Sequence, residues 1–115
     1  MNNKVYGYIR VSTQEQNIER QMIALLDTGM DKKDIYIDKQ SGKNFKRPAY
    51  ARMMRRVREG DLIIVKSIDR LGRNYQEIME QWRVIKKEKK VDIRILDMPL
   101  LDTTRTKDLL GTFIS

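Results

Sequence analysis

Histidine is absent from the 115-residue chain, and so is cysteine. Without histidine, Ser-His-Asp and Cys-His catalysis are excluded. Without either residue, almost every catalytic zinc site is excluded too. The lack of cysteine removes disulfides and thiolate nucleophiles and is compatible with a reducing cytoplasm. No apolar run is long enough to span a bilayer. The short apolar stretch near the start is broken by polar residues and is not a secretory signal. Acidic residues are in deficit: 24 Lys and Arg stand against 16 Asp and Glu, a net charge of +8. Such a balance points to a polyanion, nucleic acid before membrane. Chemistry in this chain must therefore run on Ser, Tyr, Lys, Arg, Asp and Glu.

The excess charge is uneven. Residues 43–58 hold seven basic side chains and no acidic one, which makes them a candidate anion-contact segment. Residues 83–90 are basic but diluted by Glu88, and are expected to be a solvated helix face. Length predicts one domain with one modest core.

Apolar periodicity gives the order of elements. Residues 4–11 read as a buried central strand. A helix to about Leu26 follows, with a Thr13–Gln16 capping box, an inward stripe of Ile18, Met22, Leu25 and Leu26, and Gly29 past its end. A short strand covers 35–38, and the polar, Gly-containing residues 39–46 form a loop. Its SGK lacks the first glycine and spacing of a P-loop. Pro48 opens a helix with a stripe of Ala49, Tyr50, Met53, Met54 and Val57, stopped by Gly60. Residues 61–66 are the best strand, followed by a tight charged loop over 67–74. An Asn74–Glu77 capping box starts a long helix to about Lys90, with Ile78, Met79, Trp82 and Ile85 inward. A fourth strand spans 92–96, a Pro-broken loop 98–106, and a last helical pattern begins at 107. The alternation predicts an α/β fold of three layers, a mainly parallel sheet of about four strands with helices on both faces.

In such sheets the functional site gathers beyond the carboxyl ends of the strands. Ser12 ends the first strand. Arg10, two residues earlier, shares its face by strand geometry. Asp69, Arg70 and Arg73 follow the third strand, and the two buried strands should be neighbours. A hydroxyl among guanidinium groups suits phosphoryl chemistry, because an arginine fork matches two phosphate oxygens and stays charged. The carboxylates are too scattered for an evident two-metal site. The plainer alternative is that Ser12 or Thr13 only caps the helix. Tyr6, Tyr8 and Tyr50 read as packing residues.

GYIRVST (7–13), DKQSG (38–42), the Arg47 segment, the stretch ending in EGD (59–61) and DRLGR (69–73) stand in the order and spacing of the serine recombinase family. Over nearly its whole length the chain resembles the catalytic domain of a resolvase or invertase. The resemblance implies that Ser12 is the nucleophile on a DNA phosphodiester, giving a 5′-phosphoserine linkage and a free 3′-OH. It implies that Arg10, Arg47, Arg70 and Arg73 surround the phosphate, that Asp69 supports them, and that Gln16 and Gln21 lie near. It further implies DNA as partner, no metal or other cofactor, no small-molecule substrate, homodimers that assemble to a tetramer, and a cytoplasmic protein of bacterial or mobile-element origin. Arg56 stands where the family often has Lys, as a further candidate DNA contact. The family continues into a long dimerisation helix and a helix-turn-helix domain. Residues 1–115 are therefore expected to be a catalytic domain truncated near the start of that helix, inactive by itself. The rival readings are a catalytically inactive DNA-binding or regulatory α/β module, and a receiver-like or nucleotide-binding domain. The second lacks an acidic cluster for Mg²⁺ and a glycine-rich phosphate loop.

Overall fold

Four apolar stretches pair into one wholly parallel sheet: β1 (Val5–Ser12), β2 (Ile35–Gln40), β3 (Leu62–Val65) and β4 (Asp92–Ile95), in the order β2-β1-β3-β4. The computed structural model describes residues 3–12, 18–40 and 46–104, with Ser12 and Gln40 given by their backbone alone. The two most continuous apolar runs are the central neighbours β1 and β3, as their composition predicts. Strand β2 runs two residues further than expected, through Lys39 and Gln40.

Side-chain alternation splits the core in two. Ile9, Val11 and Ile64 meet Leu25 of α1 (Ile18–Leu26) on one face. Tyr6, Tyr8, Ile63, Val65, Ile93 and Ile95 meet α2 (Pro48–Arg56) and the segment after α3 (Tyr75–Arg83) on the other, through Tyr50, Met53 and Ile85. Helices thus cover both faces, giving the three layers expected. Tyr6, Tyr8 and Tyr50 are all buried packing residues.

Several local expectations are corrected. Leu26 is exposed, and the buried place on α1 goes to Gln21. Met79 is likewise exposed on α3. Helix α2 stops at Arg56, because Val57 takes extended backbone. Gly60 lies beyond that stop in the turn to β3. The buried Asp61 carboxylate ties this turn by accepting from the Arg58 and Lys4 amides at 2.8 and 3.0 Å. The helix expected to reach Lys90 is regular only to Arg83 and continues as one π turn, Val84–Glu88. The loop over 67–74 contains a 3₁₀ turn at Ile68–Arg70, and another lies at Pro99–Leu101. The Thr13–Gln16 capping box and the helical pattern from residue 107 lie outside the described residues.

At the outer edge of β4 the chain folds back on itself. The Ile93 amide donates to Thr103 Oγ1 at 2.8 Å, and Arg94 pairs with Asp102 at 2.7 Å.

Candidate active site

The carboxyl ends of β1 and β3 bring together the two stretches that the sequence separates by some sixty residues. Arg70 Nη1 donates to the Arg10 carbonyl at 2.7 Å, and Arg10 Nη2 donates back to the carbonyls of Asp69 and Gly72. Arg47, entering from just before α2, donates through Nη1 to the Leu71 carbonyl at 2.9 Å. The backbone oxygens of Asp69, Leu71 and Gly72 in one loop therefore hold two guanidinium groups, those of Arg10 and Arg47. Leu71, fully buried, anchors this loop in the core. Gly72 lets it lie against α3: a Cβ there would stand 2.6 Å from Glu77 Cβ and 2.7 Å from the Ile78 amide nitrogen.

Asp69 supports the cluster in two ways. Its carbonyl accepts from Arg10, and its carboxylate accepts from Ser67 at 2.6 Å and lies 3.5 Å from Arg70 Nε. Arg73 sits at the rim, paired with Glu77 at 3.2 Å. Asn74 caps α3 by accepting from the Glu77 amide at 2.9 Å. The expected reciprocal bond goes one residue further out: Glu77 accepts from the Arg73 amide, not from Asn74. That bond, with the Arg73 side chain, holds the Glu77 carboxyl below its ordinary pKa.

The cluster is electrostatically loaded. Burial lowers the Arg10 pKa from its ordinary value, and the charges of Arg70 and Arg47 act in the same sense. Like charges gathered where water is scarce repel one another until an anion joins them. Among the described residues no group of carboxylates is placed to hold a metal ion.

The other predicted residues divide. Ser12 closes β1 beside this cluster, its backbone in register with Gln40. Gln21 is buried on α1 and donates to the Arg10 carbonyl at 3.4 Å, while its Oε1 has no partner among the described residues. Gln16 lies outside the described residues. Arg56 is the correction: it belongs to the opposite end of the sheet. Helix α2 starts beside Asp38, at the carboxyl end of β2, and runs back toward the strand beginnings. There Arg56 donates to the Tyr36 hydroxyl at 2.9 Å, and its carbonyl accepts from Tyr6. A basic segment that is continuous in sequence is thus divided by its own helix, with Arg47 at the site and Arg56 away from it.

Sequence reasoning assigned no role to Asp38, yet it organises one wall of the site. This buried carboxylate accepts from the Tyr8 hydroxyl at 2.9 Å and from the Ala49 and Tyr50 amides at 2.9 and 3.0 Å. It caps α2 from a neighbouring strand, where Arg47 in the cap position offers no side-chain acceptor. In sequence it shows as an acid within a short apolar strand and as the first residue of DKQSG, neither of which gives it a partner. Burial, and then the Asp38 charge, push the Tyr8 phenol far up. Burial alone pushes Tyr50 up to about 12, against the opposing pull of Arg47. Both are therefore neutral near neutrality.

Comparison with known proteins supplies independent findings. Residues 5–115 match the family model described as the resolvase N-terminal domain. A resolvase of Clostridium perfringens is 37% identical over 98 residues, which is 85% of this chain and 51% of that protein. The Tn3 transposon resolvase of Escherichia coli is 39% identical over 67% of this chain and 42% of its own length. The serine recombinase gin of Escherichia phage Mu is 34% identical over 93% of this chain and 52% of its own. This chain thus spans about half the length of the curated relatives it matches. Among solved structures, the N-terminal catalytic domain of TP901-1 integrase superposes with a TM-score of 0.61 at 28% identity, covering 84% of this chain and 79% of that one.

Proposed function

Because the chain belongs to the family of resolvase N-terminal domains, we propose that it is the catalytic domain of a site-specific DNA recombinase that cuts and rejoins DNA through Ser12. The Ser12 hydroxyl oxygen attacks the phosphorus of a DNA phosphodiester. The bond from phosphorus to the 3′-oxygen breaks, leaving a 5′-phosphoserine ester and a 3′-OH. Attack by the 3′-OH of an exchanged strand reverses the step and frees Ser12. One ester is exchanged for another, so rejoining needs no nucleotide. The arginines of the cluster take up the charge that develops on the phosphoryl oxygens, as preorganised donors do in place of solvent. Arg10, Arg70 and Arg47 form the inner part, Arg73 the rim, and Asp69 holds Arg70 and the loop in place. Gln21 steadies the Arg10 backbone from α1.

The observation that carries this reading is the mutual hold of Arg10 and Arg70 beside the end of β1, with Arg47 bound to the same loop. Cutting both strands at two sites needs one such centre per strand. The protein therefore works as homodimers that assemble to a tetramer, on bacterial or mobile-element DNA in the cytoplasm.

The test uses the protein encoded by the complete reading frame and a nicked suicide substrate carrying its recombination site. A covalent protein–DNA adduct is expected, and Ser12→Ala abolishes it. Arg10→Ala and Arg70→Ala lose cleavage by at least about 100-fold, the loss typical of an oxyanion-type donor. An adduct that survives Ser12→Ala refutes the nucleophile. DNA binding with no adduct from the unaltered protein favours the inactive DNA-binding module instead.

A further inference from the structure

We propose that Tyr50, held by Gln81 and Asp38, is the residue that positions Arg47, so that the α2–α3 contact sets the aim of one phosphate-binding guanidinium. The proposal rests on the reading of Arg47 as a phosphate contact. The Arg47 guanidinium carbon lies 4.0 Å from the centre of the Tyr50 ring. At that distance a cation is drawn to the ring face. One nitrogen of the same guanidinium is fixed at its edge by the Leu71 carbonyl at 2.9 Å. A flat cation held through one face and one edge has its plane defined.

The ring beneath it is itself locked. The Tyr50 amide donates to Asp38 at 3.0 Å. The ring meets Tyr8 edge-to-face, with centroids 5.0 Å apart. The hydroxyl crosses to α3 and donates to Gln81 Oε1 at 2.7 Å. That hydroxyl stays protonated and so remains a donor at any physiological pH. Packing against Tyr8 explains burial, but not a hydroxyl aimed at one amide on another helix.

The need for a lock is visible next to it. A cleft of about 410 Å³ between the two helices is lined by Arg47, Asn74, Gln76, Glu77, Glu80 and Gln81. Its two carboxylates, Glu77 and Glu80, keep a negative field there although Arg73 and Arg83 pair with them, so a long cationic side chain is drawn that way too. Arginine side chains carry large rotamer freedom, and a catalytic donor misplaced by about 1 Å can cost about 100-fold. The stack on Tyr50 selects the orientation toward the Leu71 loop over the orientation toward the cleft.

The test measures adduct formation by the protein of the complete reading frame, alongside NMR of the Arg47 Nε–H signal. Tyr50→Leu lowers the rate about tenfold, as loss of a desolvated cation–ring pairing would. Tyr50→Phe keeps the ring and removes only the bridge to Gln81, so its effect is smaller. Gln81→Leu reproduces the Tyr50→Phe effect from a half-buried position that leaves the tyrosine in place. In an Arg47→Lys background all three changes have less than about twofold further effect, because their action runs through the guanidinium. The ring-current shift of the Arg47 signal disappears in Tyr50→Leu and moves in Gln81→Leu. Equal losses with and without Arg47 would mean that Tyr50 is only packing, and would overturn the proposal. So would an Arg47 signal and a rate both indifferent to Gln81→Leu. An unaltered protein that forms no adduct refutes the phosphate reading alone, since the NMR coupling is read without DNA.

Discussion

Asp38 shows how much one side chain can organise. Its two oxygens serve a tyrosine hydroxyl and two helix amides, all buried. Replacing it by Ala would strand three donors away from water, each costing about 1–3 kcal/mol. Asp38→Ala is therefore expected to destabilise the domain by at least about 3 kcal/mol, measured by urea unfolding. A loss under about 1 kcal/mol would mean that water reaches these donors. The arginines differ in kind from Asp38. Arg10 and Arg47 are bound by carbonyl oxygens of one loop, so their hold depends on where that backbone lies.

At the scale of elements, the loop after β3 depends on close approach to α3. Gly72→Ala puts a methyl group 2.7 Å from the Ile78 amide nitrogen, and backbone cannot yield as a side-chain tip can. The change is expected to displace the carbonyls that hold Arg10 and Arg47, and to remove adduct formation while leaving the four-strand sheet. Cleavage measured beside far-ultraviolet circular dichroism checks both halves. An active Gly72→Ala protein would show that the loop needs no such close approach. This loop also marks where sequence was legible. Apolar runs and their alternation with helical stripes led to the sheet, and the two most buried strands were rightly neighbours. The meeting of the Arg10 and Arg70 stretches followed from strand ends alone. Asp38 did not, because its partners are amides of a helix ten residues on, and capping across elements leaves no local pattern. Arg56 misled for the converse reason. Nearness to Arg47 in sequence became distance once α2 ran back along the sheet, at about 1.5 Å per residue. Leu26 and Met79 fitted their stripes on paper, but a nine-residue helix on a four-stranded sheet buries a narrower band than the period allows.

For the whole molecule, the unequal spread of charge matters more than its total. Arg52, Arg55 and Arg58 stand exposed along and just beyond α2, without an ion pair among the described residues. The basic run after α3 is neutralised locally, with Arg83 bound to Glu80 and Glu88 and Lys86 to Asp92. Changing Arg52, Arg55 and Arg58 to Gln is expected to weaken DNA binding without regard to sequence. It should also flatten the dependence of log affinity on log salt by about one for each phosphate that is no longer neutralised. An unchanged slope in a salt titration would mark these three as solvated surface.

The fold-back at β4 has a consequence for how copies of this domain can meet. An open strand edge is a template on which any extended peptide can add. Leu96 and Asp92 spend their amides on β3, and the outward amide of Ile93 is already taken by Thr103. Asp102 and Arg94 lock the same margin. Strand addition at Ile93 is therefore opposed on that side, and β2 is the other margin of the sheet. Any contact made over Ile93 would then run through side chains, which can part and re-form without tearing a backbone ladder.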